Sequence, residues 1–231
     1  MRGRKTRAMQ TEKHGWATVL ALGALLAWDA SGWDVPVAAW FGTAQGFVLR
    51  DDWVMSTVFH EGGRLLAWAL VLALCVGAVL PFGPLRRLST ARRIQLALTP
   101  IVGALAVSII KSTSASSCPW DMHVFGGVAQ HVSHWLWTTP DGGSGHCFPA
   151  GHATAGFSFL GGYFVYLEQP HIARRWLVGS LLAGLMFGLA QQMRGAHYTS
   201  HTLWSAWLCW TVAWLGNTVY KNFAGDRYAR A

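Results

Sequence analysis

Two segments of this chain carry residue types suited to phosphoryl chemistry: Gly145-His146-Cys147-Phe148-Pro149-Ala150-Gly151-His152 and, further along, Arg194-Gly195-Ala196-His197-Tyr198-Thr199-Ser200-His201. Each sets a histidine beside glycine, next to a long apolar run, where a helix is expected to begin or end. A Gly-His pair at a helix start, as in Gly151-His152, puts unpaired backbone N–H groups and the positive helix end beside a proton donor, which suits a phosphate or oxyanion. A neutral imidazole such as His197 is a competent nucleophile toward phosphorus when its other nitrogen donates to an acceptor that fixes the tautomer. Lys111 closes an earlier apolar run, Ile109-Ile110-Lys111-Ser112, and six residues separate it from Cys118-Pro119-Trp120-Asp121. Read singly, Lys111 is an interface lysine with its stem along apolar surface, His152 a loop histidine beside a capping glycine, and His197 a polar helix-end residue. Together with Arg194 they make two histidines and two cations able to attack and stabilise a phosphoryl group.

Positioning them falls to apolar helices. The chain is 52% hydrophobic and 12% charged, with 14 Trp, against about a quarter charged in an average soluble chain. The apolar residues are blocked into runs that predict helices near 16–33, 64–82, 94–111, 153–168, 176–194 and 202–220, most of membrane-crossing length. Asp29 interrupts the first and is tolerable if it faces other helices or the interface. Val35–Leu49, opened by Asp34-Val-Pro, predicts a short helix lying along the membrane surface. The expected fold is therefore all-α, a six-transmembrane-helix bundle forming a single domain over 1–231. Residues 1–15 make a basic N-terminus, and 112–152, rich in Ser, Gly, His and Trp, form the longest loop.

Charge predicts orientation. Arg2, Arg4, Lys5, Arg7 and Lys13 precede the first run, and Arg86, Arg87, Arg92 and Arg93 lie between the second and third. Arg174 and Arg175 separate the fourth and fifth, and Lys221, Arg227 and Arg230 follow the sixth. By the positive-inside rule both termini and these loops are cytoplasmic, with the 112–152 loop outside. The net charge of +8 is thereby a topology signal, and no nucleic-acid partner is expected. Arg50, Arg64, Lys111 and Arg194 fall on the other side, where the rule asks for no cation. The N-terminal run lacks a cleavage-like site, so it reads as retained.

The ordered set resembles the type 2 phosphatidic acid phosphatase superfamily, which includes the vanadium haloperoxidases and carries K-x6-R-P, P-S-G-H and S-R-x5-H-x3-D. Here these read Lys111-x6-Cys118-Pro119, Pro149-Ala150-Gly151-His152 and Gly195-Ala196-His197-Tyr198-Thr199-Ser200; the resemblance spans roughly residues 60–215. It implies that His197 takes the phosphoryl group as a phosphohistidine. His152 would protonate the leaving group and then activate water, while Lys111 and the amides around Gly151 hold the oxygens. It implies a metal-independent lipid phosphatase with no cofactor, an extracytoplasmic active site and a place in a bacterial inner membrane. The substrate would be a lipid phosphate held in the bilayer: phosphatidic acid, phosphatidylglycerol phosphate, a prenyl diphosphate or a lipid A phosphate. Which of these, whether water or another acceptor receives the phosphoryl group, and the oligomeric state are left open.

The motifs depart from that pattern. The first-motif arginine is Cys118, the arginine six residues before the nucleophile is Gln191, and the aspartate four residues after it is His201. Arg194, or Arg64 in His60-Glu61-Gly62-Gly63-Arg64, stands as the substitute cation. Thr202, His201 and Asp121 are the candidates for orienting His197. Cys75 and Cys209 lie in apolar runs as packing residues. Cys118 and Cys147 both lie in the long loop, and if that side is a periplasm they are placed for a disulfide. Closing about thirty residues, it would stabilise by roughly 3–4 kcal/mol. Two alternatives stand beside the phosphatase. The lost arginines suggest a non-catalytic lipid-phosphate binder of the same fold. The spacings of His197 to His201 and His131 to His134 suggest a His-ligated metal or haem membrane protein.

Overall fold

The computed structural model describes the backbone of residues 2–229 and the side chains of 12–223. Arg2, Arg4, Lys5, Arg7, Arg227 and Arg230, part of the expected charge pattern, lie outside the described side chains. The fold is all-α. Helix α1 (Arg2–Ser31) leads to a short α2 (Asp34–Ala38) and a hairpin of β1 (Gly42–Thr43) and β2 (Gly46–Phe47). A π-helical stretch (Val54–Gly62) runs into α3 (Gly63–Val79), followed by α4 (Thr90–Thr113). After the long loop come the short helices α5 (Thr154–Phe157) and α6 (Gly161–Val165), then α7 (Pro170–Met193) and α8 (Thr199–Ala229). α4 packs against both α3 and α8, α7 against α5 and α6, and α1 against α8.

The expectation of six membrane-crossing helices is corrected. Among the described residues three helices are long and apolar enough to cross a membrane: Val54–Arg87, Thr90–Thr113 and Pro170–Met193. They carry the predicted runs 64–82, 94–111 and 176–194, and they associate the chain with a membrane; Leu65, Leu66 and Leu72 of α3 stand exposed as an apolar face. The runs 16–33 and 202–220 are helical within α1 and α8 but diluted by Trp, Thr, Ser and Gly. Those polar groups serve helix packing instead: the Trp207 indole N–H donates to the Thr18 carbonyl at 3.0 Å and that of Trp210 to Thr18 Oγ1 at 2.9 Å. Asp29 accordingly faces protein, accepting from the Trp204 indole at 2.9 Å. The run 153–168 is broken into α5, a 3-10 turn and α6, too short to span about 30 Å of hydrocarbon. The backbones of this segment and α7 nearly touch, since a Cβ on Gly156 would lie 2.1 Å from the Gly184 nitrogen.

The surface helix expected over Val35–Leu49 is also corrected: only Asp34–Ala38 is helical, and the hairpin follows. Phe47 turns inward to pack on Phe125 of the long loop, ring centroids 5.0 Å apart, so apolar contact with that loop overrides a helical continuation. Asp34 caps α8, accepting from the Ser200 amide at 3.0 Å and the Ser200 hydroxyl.

The long loop is held by polar contacts and a covalent bond. Buried Asp141 accepts from the Ser117 amide at 2.6 Å, the Ser117 hydroxyl at 2.7 Å and the Gly143 amide at 3.0 Å. Cys118 and Cys147 are joined by a disulfide. Asp141→Ala strands the buried Ser117 donors, and such losses cost about 2–3 kcal/mol when the acceptor is charged. Denaturant unfolding in detergent is expected to show that loss; unchanged stability would mean that the loop does not depend on this carboxylate.

Candidate functional site

Lys111 lies in the last turn of α4, and its Nζ reaches to 3.8 Å from where a Cβ would stand on Gly151. The helical stretch beyond begins with Thr154 N–H donating to the Gly151 carbonyl at 3.2 Å and Ala155 N–H to that of His152 at 3.1 Å. The amides of Gly151, His152 and Ala153 are therefore the donors that a helical start leaves to an anion. His152 is stacked on His60, ring centroids 3.6 Å apart and 29° between planes. His60 comes from the π-helical stretch and is a residue that the motifs did not single out. Its one signal in sequence is its place beside Glu61, to which its Nδ1 is hydrogen-bonded at 2.9 Å. Burial, and then the positive charges of His60, Lys111 and Arg194, push the His152 pKa down to about 3. His152 is thus a neutral imidazole, and a phosphate dianion beside it would reverse that field and favour the protonated acid.

His197 is buried behind Lys111. It follows Gly195, whose φ of +75° ends α7 in the left-handed region. A Cβ there would also fall 2.3 Å from the Phe47 ring, so glycine is required on two counts. The Gly195 carbonyl accepts from the Trp120 amide at 2.9 Å, tying the His197 segment to the long loop. Burial first, then the charges of Lys111, His201 and His152, hold the His197 pKa well below its ordinary value, while the nearby Cys147 backbone opposes them. His197 is a neutral imidazole, with Nδ1 3.5 Å from Cys147 Sγ. Lys111 thus acts on both histidines, and His152 on His197.

The two substitute arginines part company. Arg194 stands at the rim, donating through Nε to the Arg50 carbonyl at 2.8 Å and through Nη1 to Gln191 Oε1 at 3.3 Å, and its charge is felt at His152. Arg64 is ion-paired with Glu61 and exposed. It also lines a groove of about 230 Å³ between α3 and α4, with Trp68, Pro100, Ala104, His152 and Phe159. A larger apolar groove, about 470 Å³, lies between α3 and α7 and contains none of these polar residues.

Of the three orienting candidates, Thr202 accepts from Gln192 Nε2 at 3.3 Å and Asp121 from the Ser144 hydroxyl at 2.9 Å. Neither contact is with His197. His201 is the neighbour, ring centroids 5.7 Å apart.

The expectation of a metal-independent reaction is corrected by the same neighbourhood. Among the described residues Cys147, His197 and His201, all buried, bring one ligand atom each within 4.8 Å of one another, a set able to hold a metal ion. Cys147 Sγ is bonded to Cys118 in this structure, which leaves two histidines available while the disulfide stands.

The sequence model of the PAP2 superfamily matches residues 93–224. That range contains Lys111, Gly151, His152, Arg194, His197 and His201, whereas His60 and Arg64 precede it. Comparison with curated proteins finds no match, and comparison with solved structures finds none either.

Proposed function

The chain belongs to the PAP2 superfamily, and from that premise we propose that it is a membrane phosphatase acting on a lipid phosphate monoester or diphosphate through a phosphohistidine at His197. The observation that carries this reading is the convergence of neutral His197, neutral His152 and Lys111 at the end of α4. Lys111 and the amides of Gly151, His152 and Ala153 hold the phosphoryl oxygens, where positioning and charge supply most of the catalysis. The lone pair of His197 Nε2 forms the new N–P bond as the bond to the leaving oxygen breaks, and His152 delivers a proton to that oxygen. Water activated by His152 then cleaves the N–P bond and frees phosphate. The groove between α3 and α4 leads from an apolar wall to His152 and suits a chain that stays in the bilayer.

Phosphate release from a panel of phosphatidic acid, phosphatidylglycerol phosphate, a prenyl diphosphate and lipid A, with and without a chelator, tests the reading. Release from none of them would overturn it. Within that assay Arg194→Ala is expected to lower turnover about ten- to a hundredfold, the value of a hydrogen bond to a charged group. Arg64→Ala is expected to change it little, because Arg64 is held by Glu61. The reverse order would make Arg64 the phosphate-binding cation.

The Cys147–His197–His201 set favours a second reading, a His-ligated metal protein of the same fold. Metal content of the purified protein tests it, and the chelator arm of the phosphate-release assay shows whether turnover needs that ion.

A further inference from the structure

Cys147 occupies two roles that exclude each other. Its sulfur is half of the bond to Cys118, and it is also the only sulfur of the three-ligand set with His197 and His201. We propose that this set is a divalent-cation site of the zinc class which exists only when the Cys118–Cys147 disulfide is open, so that thiol–disulfide exchange gates metal binding at the His197 ring. The inference deepens the second reading above.

One edge of the set has the length that a tetrahedral ion requires. Zn–N bonds of about 2.0–2.1 Å and Zn–S bonds of about 2.3 Å set a tetrahedral N···S edge of about 3.5 Å. The distance from His197 Nδ1 to Cys147 Sγ is 3.5 Å. His201 supplies an independent sign, because its Nδ1 is buried and has no hydrogen-bond partner, and a stranded ring nitrogen of this kind calls for an explanation. Three protein ligands leave a fourth position for water. A polar pocket of about 70 Å³, lined in part by Asp29, Ser116, His131, His134, Tyr198 and His201, gives a hydrated ion a route to that ring.

The disulfide is the gate because a sulfur bonded to Cys118 is no thiolate, so the set then offers two imidazoles and no anionic ligand. An external dithiol reduces the bond, becoming a disulfide itself as Cys118 and Cys147 each gain a hydrogen. Cys147 then loses its proton to solvent as its sulfur binds the ion, and the thiolate contributes the missing negative charge. The consequence for chemistry follows from the tautomer. A neutral imidazole bound to metal through Nδ1 carries its proton on Nε2, so the lone pair needed for attack on phosphorus is lost. Reduction with metal present silences His197, and exchange with an external disulfide, which is reduced to its dithiol as the Cys118–Cys147 bond re-forms and the ion leaves, releases it.

Cobalt(II) titration of the full-length protein in detergent is the test, followed by its thiolate-to-cobalt charge-transfer absorption. Wild type reduced with a water-soluble phosphine, and Cys118→Ser without reduction, are expected to bind one cobalt with that band. Oxidised wild type should lack it. Cys147→Ser and His201→Ala should each weaken binding more than about 100-fold, beyond what a residue merely supporting a ligand costs. Equal binding by oxidised wild type and by Cys147→Ser, without the band, would overturn the gate while leaving a metal protein. Absence of cobalt from reduced wild type and from Cys118→Ser alike would overturn both.

Discussion

His197→Asn protein is expected to release no phosphate above background from any lipid substrate while keeping the unfolding midpoint close to that of the parent. Asparagine keeps a planar polar group at Cγ but no ring nitrogen able to attack phosphorus, so with an unchanged unfolding midpoint the loss reads on the nucleophile. His152→Ala is expected to fail differently. Removing a general acid–base group costs about 10²- to 10⁴-fold, but that cost depends on the leaving group. With a lipid alkoxide the first step needs the proton of His152. With an activated aryl phosphate, whose phenolate leaves unaided, His152→Ala should still form the N–P bond and then stall, because water is no longer activated. A burst of phenolate equal to the enzyme present, and acid-labile phosphate on His197, is the expected signature. Turnover by His197→Asn, or a burst that leaves phosphate elsewhere, would remove the proposed division of roles.

Lys111→Met is expected to lower kcat/KM by about thirty- to a thousandfold, the 2–4 kcal/mol of one charge-assisted contact in a water-poor site. A structural lysine would produce a loss too, so the pH profile is the sharper readout. The ammonium lowers the pKa of both His152 and His197. Deleting it lets both rise toward the ordinary histidine value. The acid limb of kcat/KM, where the nucleophile becomes protonated, should therefore move to higher pH. A rate loss with an unmoved acid limb would show that Lys111 acts through folding alone.

Much of the site was legible because its signals are local. Lys111, Gly151, His152, Arg194 and His197 all lie at the ends of apolar segments. Hydropathy and glycine placement mark such ends without knowledge of the rest of the fold. The runs 64–82, 94–111 and 176–194 were readable for the same reason, being continuous enough to form long apolar helices. Composition misled where polar residues serve helix packing. The tryptophans and Thr18 of α1 and α8 hydrogen-bond across helices, and the glycines of 153–168 let that segment press against α7 as short pieces rather than one span.

What the sequence by itself determined is the order of the chemical groups and the membrane-compatible helices that carry several of them, because both depend on residue type and near spacing. Tertiary structure alone decided which groups meet. His60 stacks on His152 although the chain between them includes α3, α4 and the long loop. Arg64 pairs with Glu61 while Arg194 donates to the Arg50 carbonyl and Gln191, and Asp141, silent in any motif, anchors the loop through Ser117. The Cys147 sulfur lies against His197, a contact that none of the candidates Thr202, His201 and Asp121 foreshadowed. Contacts of this kind are set by how separate elements pack, at distances where an ångström decides between a hydrogen bond, a metal ligand and a bystander.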